Sequence, residues 1–302
     1  MSVLESMGKV RIKPLRSGWD EVITTREWAS ASLEGFPLHE AARRGDPVTV
    51  GMLLSQGADP NQCAPCGAAP LHLASLYGHQ DVLRTLVGHG AQVNLVGPGS
   101  GLTALHVAAE WGRTEAVRLL LDSGAAPGAA IPDGTTPMLL AAMNGHEGVV
   151  RLLLRAGAGA GPSRLDGTTP LYMAAATGRT LVVRLLLEAR APTECRHAPT
   201  GATPLYAAAE KGHCDVASLL LHAGAAVDRA AQDGSTPLYV AAAMGHSNIV
   251  RALLDHRAAL EGHHQLLIAR GACPTAALPN GMTPHQIASL HGHTALCQLL
   301  PH

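Results

Sequence analysis

The chain has 302 residues, with 22 Lys and Arg against 23 Asp and Glu, and this near-neutral balance leaves no field strong enough to draw in a nucleic acid or an anionic membrane. Apolar residues make up 47% but aromatics only 3%, with a single Phe, so the core must be Leu, Val and Ala packed in thin layers, as between close helices. Six cysteines at irregular distances (Cys63, Cys66, Cys195, Cys214, Cys273 and Cys297), no apolar leader and no apolar run of membrane-spanning length lead to the expectation of a soluble protein of the cytoplasm or nucleus.

Residues 1–35 open with a small basic stretch, Lys9, Arg11, Lys13 and Arg16 against Glu5, read as a solvated tail. Ser17 is placed to cap a short helix from Trp19 to about Ala31, with Trp19, Val22 and Ile23 on one side. The segment reads either as an N-terminal cap on the rest of the chain or as a docking peptide.

From residue 36 a motif close to Gly-x-Thr-Pro-Leu-x-x-Ala-Ala returns, with its proline slot at Pro37, Pro70, Ala104, Pro137, Pro170, Pro204 and Pro237, always 33 or 34 residues apart, and again at Pro284. Thr103, Thr136, Thr169, Thr203, Thr236 and Thr283 precede the slot and can cap a helix with their hydroxyls, while proline in the first turn loses no useful N–H. Paired alanines such as Ala141-Ala142 and Ala208-Ala209 let neighbouring helices approach closely. The glycine eight residues past each slot permits a left-handed stop, and runs such as Leu152-Leu153-Leu154 then give the apolar stripe of a second helix. Gly-Ala ends that helix, and Asp133-Gly134, Asp166-Gly167, Asp233-Gly234 and Asn280-Gly281 signal a hairpin turn before the next unit.

Residues 36–257 hold seven such units. Arg190 and Arg257 take the place of the glycine closing the second helix, and each should cost about 1 kcal/mol if that site is left-handed, which makes both predicted soft joints. The slot Pro284 lies 47 residues beyond Pro237, and in the excess, residues 258–279, the run Leu266-Leu267-Ile268-Ala269-Arg270-Gly271-Ala272 looks like the end of a second helix without a first. That stretch reads as a half-repeat, either one short helix or an extended loop. Residues 280–302 read as a last unit that stops just past Leu299-Leu300, which leads to the expectation of an incomplete cap without a further C-terminal box.

Nothing in the sequence assembles a catalytic centre, for it lacks a phosphate loop, a His-Glu-x-x-His zinc helix and a Gly-x-Ser-x-Gly nucleophile turn. Cys63-Ala-Pro-Cys66 has redox or zinc spacing, but it falls in a hairpin and no second pair complements it. Of the 17 histidines, His79, His146, His213, His246 and His293 follow the repeat's own glycine and so belong to the framework, leaving His263-His264 as the pair outside the register that merits a metal test. No cofactor, metal or small-molecule substrate is expected.

The repeating motif, its Gly-His step and its Gly-Ala stop resemble the ankyrin-repeat family over residues 36–302. The resemblance implies an all-α solenoid of stacked helix-turn-helix units joined by β-hairpin loops, with hairpins and first helices lining a concave face and second helices forming the back. It also implies histidine two residues past the proline, as at His39, His72 and His106; Tyr172, Tyr206, Tyr239 and Leu139 replace it elsewhere and are read as groups packed between repeats. Members of the family bind proteins through hairpin residues and the two residues before the glycine that ends the first helix. Carried over, that slot gives Arg43, Arg44, Leu76, Tyr77, Glu110, Trp111, Met143, Asn144, Glu210, Lys211 and Met244, with Tyr77 and Trp111 as the expected anchors because aromatic side chains dominate interface energetics. The family's asparaginyl hydroxylation would fall on Asn61 and Asn94.

The sequence thus predicts a scaffold or inhibitor that binds a protein, with a substrate adaptor for a ubiquitin ligase as the alternative and a metal or redox protein a distant third. It does not name the partner.

Overall fold

The computed structural model describes residues 25–161, 164–263 and 281–299. A short helix α1 (Thr25–Ser30) precedes paired helices: α2 (Pro37–Arg44) with α3 (Pro47–Ser55), α4 (Pro70–Tyr77) with α5 (Gln80–Gly88), and α6 (Ala104–Glu110) with α7 (Thr114–Asp122). The pairing continues through α8 (Pro137–Asn144) with α9 (Glu147–Arg155), α10 (Pro170–Ala176) with α11 (Thr180–Glu188), and α12 (Pro204–Lys211) with α13 (Cys214–His222). It closes with α14 (Pro237–Met244) and α15 (Ser247–His263), then α16 (Pro284–Leu290) and α17 (Thr294–Cys297). Even-numbered helices from α2 to α16 pack on one another in series, and the odd-numbered ones from α3 to α15 form a second row behind them.

The caps follow the sequence. Thr136, Thr169, Thr203, Thr236 and Thr283 each accept a hydrogen bond from the backbone N–H three residues on. Thr103 differs, because its hydroxyl meets His106 Nδ1 at 2.9 Å instead. At the other end of each first helix the glycine adopts positive φ, from 66° at Gly112 to 83° at Gly145, and its N–H or the next one returns to a carbonyl near the helix end.

One continuous core runs along the stack from Leu38 to Ala288, made mainly of Leu, Val, Ile and Ala, with Met138, Met173 and the three tyrosines Tyr172, Tyr206 and Tyr239 among them. Every alanine of the pairs at 41–42, 108–109, 141–142, 174–175, 208–209 and 241–242 is buried, so backbones meet where bulkier side chains would hold them apart. A second, smaller cluster gathers Trp28, Leu33, Leu73, Leu76, Leu102, Val107 and Ile131 on the first-helix side of repeats one to three.

The loops between repeats are tight hairpin turns, with no strand assigned among the described residues. These turns close on paired backbone bonds, for example Ala64 N–H to Ala68 O at 2.9 Å with Gly67 N–H to Ala64 O at 2.8 Å, and Ile131 N–H to Thr135 O at 3.0 Å with Gly134 N–H to Ile131 O at 2.8 Å. Successive tips are tied one to the next, Leu165 N–H to Asp133 O at 3.1 Å, Ala198 N–H to Asp166 O at 2.7 Å and Gln232 N–H to Thr200 O at 2.8 Å. Arg190 does take the left-handed conformation, φ 59°, but at Arg257 there is no joint, because α15 continues through it to His263. The boundary drawn between residues 257 and 258 therefore falls inside a helix; the run 266–272, His264, Cys273 and the predicted Ser17-capped turn lie outside the described residues.

The final repeat stacks in spite of its displaced slot. α16 packs on α14 and α17 on α15, and His293 Nε2 meets Ala243 O at 3.2 Å, repeating across 50 residues the contact that joins regular neighbours.

Candidate protein-binding face

The residues before the terminal glycine of each first helix are held by a bond from the following repeat. Nε2 of His79 reaches Arg43 O at 3.0 Å, that of His146 reaches Glu110 O at 2.8 Å and that of His246 reaches Glu210 O at 3.1 Å, while Arg113 and Arg179 donate to Leu76 O and Met143 O through Nε. The Gly-His step therefore fixes the spacing of the face. Asn144 Nδ2 adds a bond to Glu110 O at 3.1 Å, and the Thr177 hydroxyl one to Met143 O at 3.1 Å.

Buried histidines hold the repeats below this level. Ala69 N–H donates to His72 Nδ1 at 3.1 Å, which leaves the proton on Nε2 to reach Leu102 O at 3.1 Å in the next loop. His39 and His106 make the corresponding contacts to Gln62 O and Thr135 O. Burial favours the neutral ring, lowering His39 and bringing His72 and His106 down to about 4. Where tyrosine replaces histidine, Tyr206 Oη meets Ser235 Oγ at 2.8 Å, and burial pushes its phenol up to about 12 and Tyr172 higher still.

Not every residue of the expected set faces solvent. Arg44, Lys211 and Trp111 are exposed, Trp111 at 36%; Arg43, Tyr77, Glu110, Met143, Asn144 and Met244 are half-buried. Met143 and Met244 lean on the main core, and Tyr77 stacks on His79 with ring centres 5.8 Å apart while its other side borders the second cluster. Leu76 and Glu210 are a correction, since both are buried. Leu76 lies in the cluster that Trp28 and Leu33 close over, and Glu210 turns inward, its charge felt by Tyr172 and Tyr206, with Lys211 Nζ 3.7 Å from its carboxylate.

One feature on this side was not read from the sequence, and a second, Leu290, falls in the slot that the resemblance gives. Leu165 is 85% exposed at the tip of the turn leading into the fifth repeat, where Arg164 reaches both Asp133 and Asp166 at 3.4 Å and pins the turn with its leucine outward. The signal was available, because Pro132 and Gln232 hold the equivalent place before Asp-Gly and a large aliphatic there is out of pattern. Leu290, at the equivalent of Leu76 in the last repeat, is also exposed.

Asn61 and Asn94 join neighbouring turns. Asn61 Oδ1 accepts from Gln92 N–H at 2.7 Å and Asn94 Oδ1 from Ala126 N–H at 2.9 Å, with their Nδ2 groups directed to Gly90 O and Gly124 O. The Cys63 thiol is pushed up by burial, with the neighbouring Cys66 and Asp59 adding to it, which makes it a poor nucleophile at neutral pH. Among the described residues no helix is long and apolar enough to cross a membrane.

Comparison with known proteins agrees with this architecture. A family profile described as ankyrin repeats (3 copies) matches residues 38–131, 126–196 and 189–263. The chain is 42% identical over 85 residues to the E3 ubiquitin-protein ligase XBAT33 of Arabidopsis thaliana, spanning 28% of this chain and 17% of that protein. It is 37% identical over 103 residues to ankyrin repeat and SOCS box protein 11 of Danio rerio, spanning 34% of each. These matches thus cover about a third or less of each relative's own length. The crystal structure of the human ASB11 ankyrin repeat domain superposes with a TM-score of 0.64 at 27% identity, covering 78% of this chain and all of that domain. The chain belongs to the ankyrin-repeat family, and its stack is a protein-interaction module.

Proposed function

We propose that the module binds a partner protein across the first-helix face of repeats three to seven, as a scaffold or inhibitor with no catalytic step, cofactor, metal or small-molecule substrate of its own, in the cytoplasm or nucleus. The observation that carries this reading is the outward display of Trp111 and Leu165 on the side of the first helices and turns, in a chain with so few aromatics. Large apolar groups in a polar frame, here between Asn144 and Lys211, are the usual anchors of an interface. Other exposed apolar residues, such as Met52 on α3 and Leu181 on α11, lie on the second row and far apart in the stack.

Replacing Trp111 with Ala and Leu165 with Asp should remove at least nine-tenths of a specifically captured partner while leaving thermal unfolding within a few degrees of wild type. Arg151→Glu on α9, exposed on the opposite row, should leave capture unchanged. Full capture by the double variant would overturn the assignment. A second reading is favoured by the names of the relatives, one a ubiquitin ligase and one an ankyrin and SOCS box protein: the partner is a substrate held for ubiquitin transfer. Asn61 and Asn94, at the edge of the same turns, remain the proposed acceptors for hydroxylation.

A further inference from the structure

The helix α1 does not sit on the open end of the first repeat. It packs against α4, in the second repeat, and its side chains reach from the turn between the first two repeats to the end of α6 in the third. Thr25, fully buried, donates from its hydroxyl to Glu110 Oε2 at 2.9 Å and accepts from Trp111 Nε1 at 2.9 Å. Trp28, 4% exposed, donates from Nε1 to Cys66 O at 2.9 Å and meets the His72 ring edge-on with centres 5.4 Å apart. Arg43 donates to Ala31 O at 3.2 Å, and Leu33 follows Trp28 into the second cluster. These partners, Glu110, Trp111 and Arg43, are the very positions through which the face would contact another protein.

We propose that residues 25–33 are a ligand in cis: a short helix of pattern Thr-x-x-Trp followed by Leu that fills the first-helix face of repeats one to three and keeps other proteins off it until it is displaced. Two observations separate this from an integral piece of core. Trp28 and Leu33 belong to a cluster of their own, so the continuous core from Leu38 to Ala288 is complete without them. The helix has six residues, too few to be stable apart from its dock, so its order depends on those side-chain contacts and it can leave as a unit. Leaving would bare Leu73, Leu76 and Val107 together, an apolar patch suited to a second helix with the same Thr and Trp spacing. Trp111 lies at the border of the two surfaces, bonded to Thr25 and 36% exposed, so the inference shares that residue with the proposed partner face but not Leu165.

The test uses the full chain and a fluorescein-labelled synthetic peptide of residues 21–36, followed by anisotropy. A tethered segment acts at an effective concentration of about a millimolar, so the wild-type chain should exclude the peptide. The Trp28→Ala chain, its own segment weakened, should bind it at least 100-fold more tightly than wild type, and a peptide carrying the same Trp28→Ala change should not bind. Thr25→Ala, which removes the contacts to Glu110 and Trp111 but keeps the indole, should fall between. Equal binding to both chains, or binding to neither, would overturn the proposal. So would loss of cooperative unfolding in the Trp28→Ala chain, because the segment would then be part of the fold and not its ligand.

Discussion

At the scale of single residues, the repeat shows what one position is asked to do by the different side chains that fill it. Two places after the proline, His39, His72 and His106 span to the next loop with a ring nitrogen, and Tyr206 spans the same gap with its phenol. Both answer one need, a buried polar group reaching a neighbour 23 to 30 residues away, but only the histidines titrate in an accessible range. The unfolded imidazole has its ordinary value near 6.5, while burial lowers His39 and brings His72 and His106 to about 4, so the contribution of these two is complete above about pH 6.5 and is lost as pH falls towards 4. For His72 and His106 the loss is about 3 kcal/mol each, and His106→Tyr should remove most of its share in melts run at pH 7 and pH 4.5. Arg190 makes the opposite case, a side chain held at φ 59° where a Cβ crowds the backbone. Arg190→Gly should stabilise the chain by about 1 kcal/mol in urea unfolding, and a loss would show that the arginine has a compensating role.

The elements divide the stack into two halves. Histidine occupies the slot in repeats one to three and tyrosine in repeats five to seven, so at pH 4.5 amide exchange should rise first in α2 to α7 and last in α10 to α14. Uniform acceleration would contradict that assignment. Most of these elements were legible in the sequence, because threonine before proline, paired alanine and the glycine stop each specify a local geometry that the neighbours then reinforce. Where they were not, a longer-range interaction decided. Arg257 lies in a helix because nothing in that register compels a stop, and Leu76 is buried because Trp28, dozens of residues away in sequence, covers it. No periodicity reports such a contact, since α1 belongs to no repeat; the nearest hint was a scarce tryptophan outside the array. The exposed face was legible as a slot but not as an occupancy. Leu165 was readable only by aligning the turns, which compare residues that the helix pattern passes over.

At the scale of the molecule, stacking explains both robustness and function. Each repeat packs on its neighbours, so the last pair docks on the seventh repeat through His293 although its slot at Pro284 is displaced in sequence. A stack of this kind has two long surfaces of different character: second helices paired with one another behind, and first helices with turns in front, where backbone carbonyls are already satisfied by the histidine, arginine, asparagine and threonine bonds between repeats. What remains free in front is side chain, which is what a recognition surface varies. This front has a part covered by the chain's own α1 and an open part beyond Trp111. Recognition through the open part is tested most directly by amide hydrogen exchange on the full chain with and without its captured partner. Protection should appear in the ends of α6, α8, α10, α12 and α14 and in the turn around Leu165, with the second row unchanged. Protection confined to α7, α9, α11 and α13 would contradict it.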